Sequence, residues 1–358
     1  MHFSRFTIFL GLSALCGGLL ILQFLLGNVS QSGPVLSVFF LFLALAFRES
    51  EALRGYAYTV LIFSAVALAM YYPMYFQSLG PWKLTTWITP LIQVIMFGMG
   101  TSMGVEDFRA VWRQPKGVAI GLSAQFLIMP FLGYSLAVWT DFPPEISAGI
   151  VLMGCTPSGL ASNVMCYIAK ANLALSLTIT SLATLLAPLL TPLLMKLLAG
   201  QFIALDPVAM MWDIAKMILL PIGAGLLFKL LLAGRVGWLE RILPYISMGS
   251  VAVIILIITA AGRDHLLRMG MALIGVVMVH NFLGYALGYG FAKIFRMSDP
   301  DARTVALEVG MQNAGLASGI ANGLGKIATM GLAPAVFGPV MNISGSLLAS
   351  FWGNRRNE

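Results

Sequence analysis

Charged residues are scarce in this chain. Lys, Arg, Asp and Glu make up 10% of its 358 residues, and hydrophobic residues make up 59%. In a soluble domain about 25% of the residues are usually charged. The composition therefore excludes a conventional soluble enzyme, a disordered chain and a nucleic-acid-binding domain. No nucleic-acid partner is expected, although the net charge is +7.

Signatures of catalysis and of metal binding are also lacking. The three cysteines, Cys16, Cys155 and Cys166, lie in apolar surroundings, with neither metal-ligand spacing nor a disulfide framework. The sequence contains no Walker loop, zinc signature, nucleophile elbow or catalytic Cys–His pairing. We therefore expect a protein that is not an enzyme, needs no cofactor and does not hydrolyse ATP by itself.

Long apolar runs, by contrast, recur along the whole chain. A helix needs about 20 mostly apolar residues to cross a bilayer. Twelve candidate segments lie at roughly 5–27, 34–47, 56–76, 87–104, 116–139, 145–169, 172–198, 209–232, 240–262, 267–293, 301–323 and 328–352. The pattern predicts an all-α polytopic membrane protein whose main partner is the lipid bilayer.

The first two segments have more than one interpretation. Segment 5–27 resembles a signal peptide because it starts at a basic residue. Its apolar stretch, however, is longer than the roughly 7–15 residues that are usual in signal peptides. It also lacks a clear small-x-small cleavage site, which favours a retained helix. Segment 34–47 is short, so it is re-entrant, interfacial or a span extended by its flanks.

Basic residues predict the orientation. Most fall at alternate connections, which places them on one side of the membrane: Arg48, Arg54, Arg109, Arg113, Lys116, Lys170, Arg235, Arg241, Lys293, Arg296, Arg303, Arg355 and Arg356. The positive-inside rule makes that side cytoplasmic, and the chain a multi-pass protein of the cytoplasmic (inner) membrane. Fewer basic residues face the other side, namely Lys83, Arg263, Arg268 and Lys326. With twelve spans both termini lie inside; if 34–47 does not cross, the N-terminus lies outside.

One motif occurs twice. The pattern G-x4-GLAS begins at Gly154 and again at Gly310, in segments that an odd number of spans separates. Equivalent elements then cross in opposite directions, which is typical of inverted-topology repeats. The alternative is chance, because Gly, Ala and Ser recur in packed membrane helices. A repeat divides the chain into an N-terminal extension (1–55), a five-helix unit (56–200) and a second, inverted five-helix unit (201–358).

Both copies of the motif carry residues that weaken a helix. Pro157 lacks an amide hydrogen and disfavours helix at Thr156, and the glycines weaken both segments further. Free backbone groups at membrane depth are tolerated only where protein or a water-filled cavity satisfies them. Two interrupted helices at matching places indicate a transport site.

One acidic residue lies deep within a span. Glu308 is about eight residues into segment 301–323, with no Lys or Arg of the same span as an obvious partner. It is either protonated or paired with a cation. Candidate oxygens for a cation such as Na⁺ come from other spans: Gln125, Ser162, Asn163, Ser176 and Thr180. Each alone could instead be an interhelical hydrogen-bonding group. His280, inside segment 267–293, is interpreted first as a packing residue, and second as a proton relay or substrate contact.

Several sequence blocks occur in a fixed order from about residue 56 to the end. They are Phe97 to Gly100 (FGMG) with Phe108, Ala124 to Phe126, Met129-Pro130, Gly154 to Val164 (GCTPSGLASNV), Leu175 to Pro192, Glu308 to Asn313 (EVGMQN) and Asn342 to Gly345. Their order and spacing resemble the bile acid:sodium symporter family, also called the sodium/bile acid cotransporter family.

This resemblance implies a ten-helix fold of two inverted five-helix repeats, with a core domain containing two broken helices and a panel domain beside it. The two N-terminal segments would be additional. It also implies two Na⁺ ions as coupling ions and no other metal. One sodium site would use Ser162, Asn163, Ser176, Thr180 and Glu308, and the other would use Gln125, Glu308, Gln312 and main-chain oxygens near Val309 and Met311. Gly159, Leu160, Asn313 and Asn342 would contact the substrate.

The chain departs from the family pattern at the first break. Bacterial relatives commonly read Pro-Gly-Gly-Thr there, where this chain reads Pro157-Ser158-Gly159-Leu160. An alkyl group thus replaces a substrate-contacting hydroxyl. We expect a sodium-coupled secondary active symporter that imports an organic anion, bile-acid-like or a small carboxylate. The alternatives are a proton-coupled or uncoupled carrier on the same fold, and then a passive channel. The sequence assigns no oligomeric state.

Overall fold

A computed structural model describes residues 4–28, 31–51, 53–104, 111–232 and 237–354, without the side chains of 237 and 239–241. Arg109, Arg235, Arg355 and Arg356, used above to predict orientation, lie outside the described residues. The helices are α1 (Arg5–Leu25), α2 (Gly33–Glu49), α3 (Ala57–Tyr71), α4 (Met74–Gln77), α5 (Ile88–Ser102), α6 (Pro115–Trp139), α7 (Pro144–Cys155), α8 (Ala161–Ile168), α9 (Leu173–Ala199), α10 (Pro207–Leu231), α11 (Gly237–Ala261), α12 (Arg263–Ile294), α13 (Asp299–Gly310), α14 (Ala314–Gly323) and α15 (Leu332–Asn354).

The chain is an all-α polytopic membrane protein, as the sequence predicts. Within the described residues, nine helical stretches are long and apolar enough to cross a membrane. The segments predicted at 145–169 and 301–323 are each divided into two shorter helices, α7 with α8 and α13 with α14. The five-plus-five inverted repeat and its boundaries at 55/56 and 200/201 stay predictions.

The N-terminal extension forms a helical hairpin. Helices α1 and α2 pack on each other, and α2 also packs on α3. The Ser64 hydroxyl donates to the carbonyl of Ser37 at 2.8 Å, which attaches α2 to α3. At 1.5 Å per residue the 17 residues of α2 extend about 26 Å. This is slightly less than the roughly 30 Å of a bilayer's hydrocarbon core.

A short hairpin between α4 and α5 was not predicted. Ser78–Leu79 pairs with Trp82–Lys83 as two antiparallel strands. Gly80 turns the chain with φ +60°, a left-handed conformation that glycine adopts at little cost. The apolar segment predicted from the sequence extends to about residue 76. Its hydrophobic pattern therefore gave no indication of the hairpin that follows.

The remaining helices pack in two groups. Helix α5 packs on α10 and on α11, and α11 packs on α3. The interrupted segments, α7 with α8 and α13 with α14, pack with α6, α9, α12 and α15, and α14 lies between the groups, against α5 and α15. The oxygen-bearing side chains singled out from the sequence, including Glu308, belong to the second group.

Helices α5 and α10 approach each other at glycines. A Cβ atom added at Gly100 would lie 2.2 Å from the carbonyl oxygen of Ile222, and one at Gly225 would lie 2.3 Å from the carbonyl oxygen of Phe97. Small residues allow such close backbone contact, which drives helix association in membranes. Gly223, on the same helix, has open space where its Cβ would be.

We predict that Gly100→Ala destabilises the protein by about 1–3 kcal/mol, because the added methyl group overpacks the α5–α10 contact. Gly223→Ala is the control, and its higher helix propensity should leave stability unchanged or slightly raised. The measurement is thermal unfolding of both variants in one detergent. Equal midpoints would contradict the assigned contact.

Candidate functional site

The first interruption separates α7 from α8. Pro157 cannot donate a backbone hydrogen bond, and Thr156 is extended at φ −81° and ψ 154°. Helix α7 therefore ends at Cys155, whose carbonyl accepts a hydrogen bond from the Thr191 hydroxyl at 2.8 Å. A side chain of α9 thus satisfies a backbone group that the break leaves free.

The second interruption separates α13 from α14. The Asn313 side chain caps α14 by accepting a hydrogen bond from the Leu316 amide at 3.0 Å. The Asn281 side chain donates to the carbonyl of Gly310, the last residue of α13, at 2.8 Å. Both breaks predicted from the sequence are present, and polar side chains of neighbouring helices satisfy their ends.

The two interruptions also satisfy each other. The Gly159 amide donates to the Met311 carbonyl at 3.1 Å, and the Asn313 amide donates to the Pro157 carbonyl at 2.8 Å. The breaks therefore cross as a short antiparallel bridge. Backbone groups that would be costly in hydrocarbon are paired at this crossing.

A fully buried carboxyl group lies beside the crossing. Glu308 is 0% exposed. Hydroxyl groups from the first break and from α8 and α9 donate to its two oxygens: Ser158 at 2.5 Å, Ser162 at 2.7 Å, Ser176 at 2.5 Å and Thr180 at 2.8 Å. We call these five residues the carboxylate cluster. It brings together the predicted Ser162, Ser176, Thr180 and Glu308.

The carboxylate cluster contains more short oxygen contacts than hydroxyl hydrogens. The Ser162 hydroxyl also lies 2.8 Å from the Gly159 carbonyl, and the Ser176 hydroxyl lies 2.7 Å from Oδ1 of Asn163. Six contacts of 2.8 Å or less thus share the hydrogens of four hydroxyls. A cation bound here would satisfy this surplus of acceptors. A protonated Glu308 together with a reversed Asn163 amide is the competing arrangement.

Two buried amides form a second group of oxygens. Gln125 donates through Nε2 to the Thr156 carbonyl at 3.0 Å and to Oε1 of Gln312 at 2.9 Å. Gln312 donates through Nε2 to the Val309 carbonyl at 2.6 Å. Oε1 of Gln125 is buried and has no hydrogen-bond partner among the described residues. We call Gln125, Gln312 and these carbonyls the amide cluster.

Ser158 connects the two clusters. It lies opposite Gln312 in the antiparallel bridge, and its hydroxyl donates to Glu308. Among the described contacts, the hydrogen bonds of Glu308 go to hydroxyls of its own cluster, so Glu308 meets the amide cluster through Ser158. In the sequence, Ser158 stands out only as part of a departure from the substrate-contacting motif. Its position directly after Pro157 was the available signal.

No fixed positive charge faces Glu308 in the part of the chain that the structure describes. The ion pairs found there involve other acids: Asp213, Asp264, Asp299 and Glu145. The described residues also contain no group of three or more His, Cys, Asp and Glu side chains that could hold a metal ion. One carboxylate among neutral oxygens suits a monovalent cation better than Ca²⁺, which usually gathers more carboxylates.

The residues predicted to contact substrate occupy different environments. Leu160 is 37% exposed, directly before α8. Gly159 is buried, and a Cβ added there would lie 3.1 Å from the Gln312 carbonyl, so its role is to allow the breaks to cross. Asn313 is half-buried and caps α14. Asn342 is half-buried on α15, one turn after Gly338, which lies beside α14.

His280 occupies a packing position. It is 1% exposed, its Nε2 lies 3.1 Å from the Met129 carbonyl, and its ring meets Phe337 edge-on at 5.6 Å. These contacts favour the packing interpretation. The neighbouring Asn281, which the sequence analysis did not assign, accepts from Ser344 at 2.5 Å and holds the end of α13. In the sequence, an amide side chain within an apolar span was the feature that could have identified Asn281.

Comparisons with known proteins identify the family. The family described as "Sodium Bile acid symporter family" matches residues 89–266. The "Uncharacterized sodium-dependent transporter YocS" of Bacillus subtilis (strain 168) is 37% identical over 281 residues, which cover 78% of this chain and 87% of that protein. The chain belongs to the sodium bile acid symporter family.

Two plant relatives are also similar. The "Probable sodium/metabolite cotransporter BASS1, chloroplastic" of Oryza sativa subsp. japonica is 30% identical over 300 residues, 82% of this chain and 72% of that protein. The same plant's "Probable sodium/metabolite cotransporter BASS2, chloroplastic" is 33% identical over 285 residues, 79% of this chain and 67% of that protein. Members of this family are sodium-dependent transporters, so the chain is a transporter and not an enzyme.

We predict that Ser158→Ala weakens Na⁺ binding about tenfold or more, because it removes one of the neutral oxygens that would coordinate the cation beside Glu308. A tenfold change in affinity corresponds to about 1.4 kcal/mol. The measurement is the Na⁺ concentration that half-maximally raises the thermal unfolding midpoint. Ser135→Ala is the control, since Ser135 on α6 donates to the Phe131 carbonyl of its own helix. A Ser158 variant with normal Na⁺ dependence would remove this residue from the site.

Proposed function

We propose that this protein is a symporter of the cytoplasmic membrane that couples inward movement of Na⁺ to the uptake of an organic anion. The observation that carries the proposal is the convergence of hydroxyls from three segments on one fully buried carboxylate, which has no ion-pair partner among the described residues. Membership of a sodium-dependent family supports Na⁺ as the cation. The anion is bile-acid-like or a small carboxylate.

Two Na⁺ ions would bind as cargo beside the crossing. One would use the carboxylate cluster with Asn163. The other would use the amide cluster, where the unpartnered Oε1 of Gln125 and the carbonyls near Val309 and Met311 offer neutral oxygens. Glu308 would bridge the two ions electrostatically, with Ser158 between the clusters.

The organic anion would meet the ends of the short helices. Helix α8 begins at Ala161 without a side-chain cap, so amide hydrogens of its first turn face the break. The N-terminus of a helix carries a partial positive charge that favours an anionic group. Helix α14 begins at the same crossing and adds a second such end. Leu160 beside α8 offers an apolar contact for the remainder of the substrate.

Alternating access would follow from the two packed groups of helices. The group that carries both breaks would rock against α3, α5, α10 and α11, exposing the site to each side in turn. Two Na⁺ ions with one monovalent anion move one net charge inward. The membrane potential then contributes about 2.3 kcal/mol per 100 mV for each cycle.

The second candidate is a proton-coupled carrier on the same fold. The observation in its favour is that a proton on Glu308 and a reversed Asn163 amide would also meet the surplus of acceptors. Proteoliposomes distinguish the two, with uptake of a panel of organic anions measured under an inward Na⁺ gradient or an inward proton gradient. Uptake that ignores external Na⁺ would select the proton-coupled or uncoupled carrier, and single-channel currents would select a passive channel.

We predict that Glu308→Gln, and likewise Glu308→Ala, abolishes Na⁺-dependent uptake, a loss of about a hundredfold or more. Removing one member of a buried charge pair costs about 3–5 kcal/mol. The measurement is initial uptake in proteoliposomes. Asp213→Asn is the control, because Asp213 also lies within an apolar helix but is exposed and pairs with Lys216. Near-normal uptake by a well-folded Glu308 variant would refute the bridging role.

We predict that Leu160→Thr changes substrate preference towards more polar anions and leaves Na⁺ affinity unchanged. The side chain of Leu160 is partly exposed, whereas the Na⁺ ligands are buried. The measurement is the uptake rate for each anion of the panel, with Na⁺ affinity from thermal unfolding. An unchanged transport spectrum would argue against this residue as a substrate contact.

A further inference from the structure

A pocket of about 310 Å³ lies at the end of the molecule that the positive-inside rule makes cytoplasmic. It is formed between the start of α6 and the connection from α12 to α13. Three basic residues line it, Arg113 and Lys116 from the first element and Arg296 from the second. Two basic connections that are distant in the sequence therefore share one cavity. Neither the proposed Na⁺ sites nor the proposed substrate site includes this pocket.

The basic residues of this pocket have no acidic partner among the described residues. Two cations near the pocket are neutralised: Lys293 lies 3.1 Å from Asp299, and Arg303 lies 2.6 Å from the same carboxylate. No ion pair of the described chain includes Arg113, Lys116 or Arg296. Three positive charges thus face one cavity without a fixed counter-charge from those residues.

The acidic residue in the pocket wall already accepts hydrogen bonds from other side chains. Asp301 accepts hydrogen bonds from the Asn172 side chain and from the Ser298 hydroxyl, both at 2.7 Å. The Asn172 side chain also donates to Oε1 of Gln114 at 3.0 Å. These bonds hold together the polar side chains at the N-terminal ends of α6, α9 and α13. They also orient the Asp301 carboxylate towards Asn172 and Ser298. Among the described lining residues, three basic side chains and one carboxylate leave a net positive charge.

Two exposed apolar side chains are close in sequence to the basic residues of the pocket. Trp112 is 88% exposed beside Arg113, and Ile294 is 76% exposed two residues before Arg296. Tryptophan is enriched at the level of lipid headgroups, and exposed aliphatic residues at the end of a membrane helix contact acyl chains. A ligand of this pocket would thus have an anionic group with hydrocarbon attached.

We propose that this pocket binds the phosphate group of an acidic membrane phospholipid. Basic pockets between membrane helices on the cytoplasmic side are suited to such headgroups. Arg113, Lys116 and Arg296 would bind the phosphate, and the amides at the start of α6, where Gln114 provides no side-chain cap, would add donors. The acyl chains would lie against Trp112 and Ile294. This site is separate from the proposed transport site.

The backbone of Arg296 is consistent with a role for its side chain. It has φ +56°, a left-handed conformation just after the end of α12, where glycine or asparagine is the usual residue. An arginine is retained there at some conformational cost. Replacement by asparagine removes the charge and suits the backbone, which makes Arg296→Asn a clean test.

The experiment measures retention of phosphatidylglycerol by the full-length protein, purified in detergent and analysed by native mass spectrometry during titration. We expect the double variant Arg113→Gln, Arg296→Asn to bind this lipid about thirtyfold more weakly than the parent protein. The matched control is Lys83→Gln, Arg268→Gln, which removes two exposed charges from the opposite end and should bind normally. Na⁺-dependent thermal stabilisation reports whether each variant is folded.

Each outcome decides the proposal. Unchanged retention by the double variant, or an equal loss in the control, overturns it. Equal retention of phosphatidylcholine also overturns it, because that headgroup carries no net charge. If inorganic phosphate displaces the lipid as effectively as added phosphatidylglycerol does, the pocket is a free-phosphate site. Should the double variant fail to fold, Lys116→Gln on the exposed first turn of α6 replaces it, with an expected loss of about fivefold.

Discussion

A carboxyl group at membrane depth is the constraint on which this structure depends. A charged side chain at the bilayer centre costs about 3 kcal/mol on insertion scales, so Glu308 needs compensation. Four hydroxyls provide part of it. They come from the first break, from α8 and from α9, while the acid comes from α13. The packing of these elements is therefore specified by polar contacts as well as by apolar area.

That convergence requires interrupted helices. A continuous helix at 145–169 would keep Ser158 within regular backbone pairing and could not place the amide of Gly159 against Met311. The interruptions create free amides and carbonyls, and the two breaks satisfy each other through the Gly159–Met311 and Asn313–Pro157 bonds. Each break is thus tolerated because the other break forms hydrogen bonds with its free backbone groups. The pair should form cooperatively, since neither crossing segment can satisfy its backbone alone.

The sequence predicted the membrane class, the places of both breaks and most of the carboxylate cluster. Composition predicts the first. Pro157 and the glycines of the repeated motif predict the second, and an isolated acid, with Ser176 and Thr180 four residues apart, predicts the third. It could not predict that Gln125 binds the Thr156 carbonyl, because a carbonyl is present at every residue and only the fold selects one. Asn281 was missed for a similar reason: many buried amides serve packing, and its partner Gly310 is remote in sequence.

Helix α8 shows how ion binding can be coupled to a variable substrate. Its inward face carries Ser162, Asn163 and Cys166, all buried. Its other face carries Val164 and Tyr167, which are exposed. A helix of about two turns therefore places the proposed cation ligands and the outward-facing side chains on opposite sides of one element. Substitutions on the outward face can change what is recognised without disturbing Glu308, whereas any movement of α8 alters both faces together. Under the proposed function, such an element would transmit ion occupancy to the substrate side by its position alone.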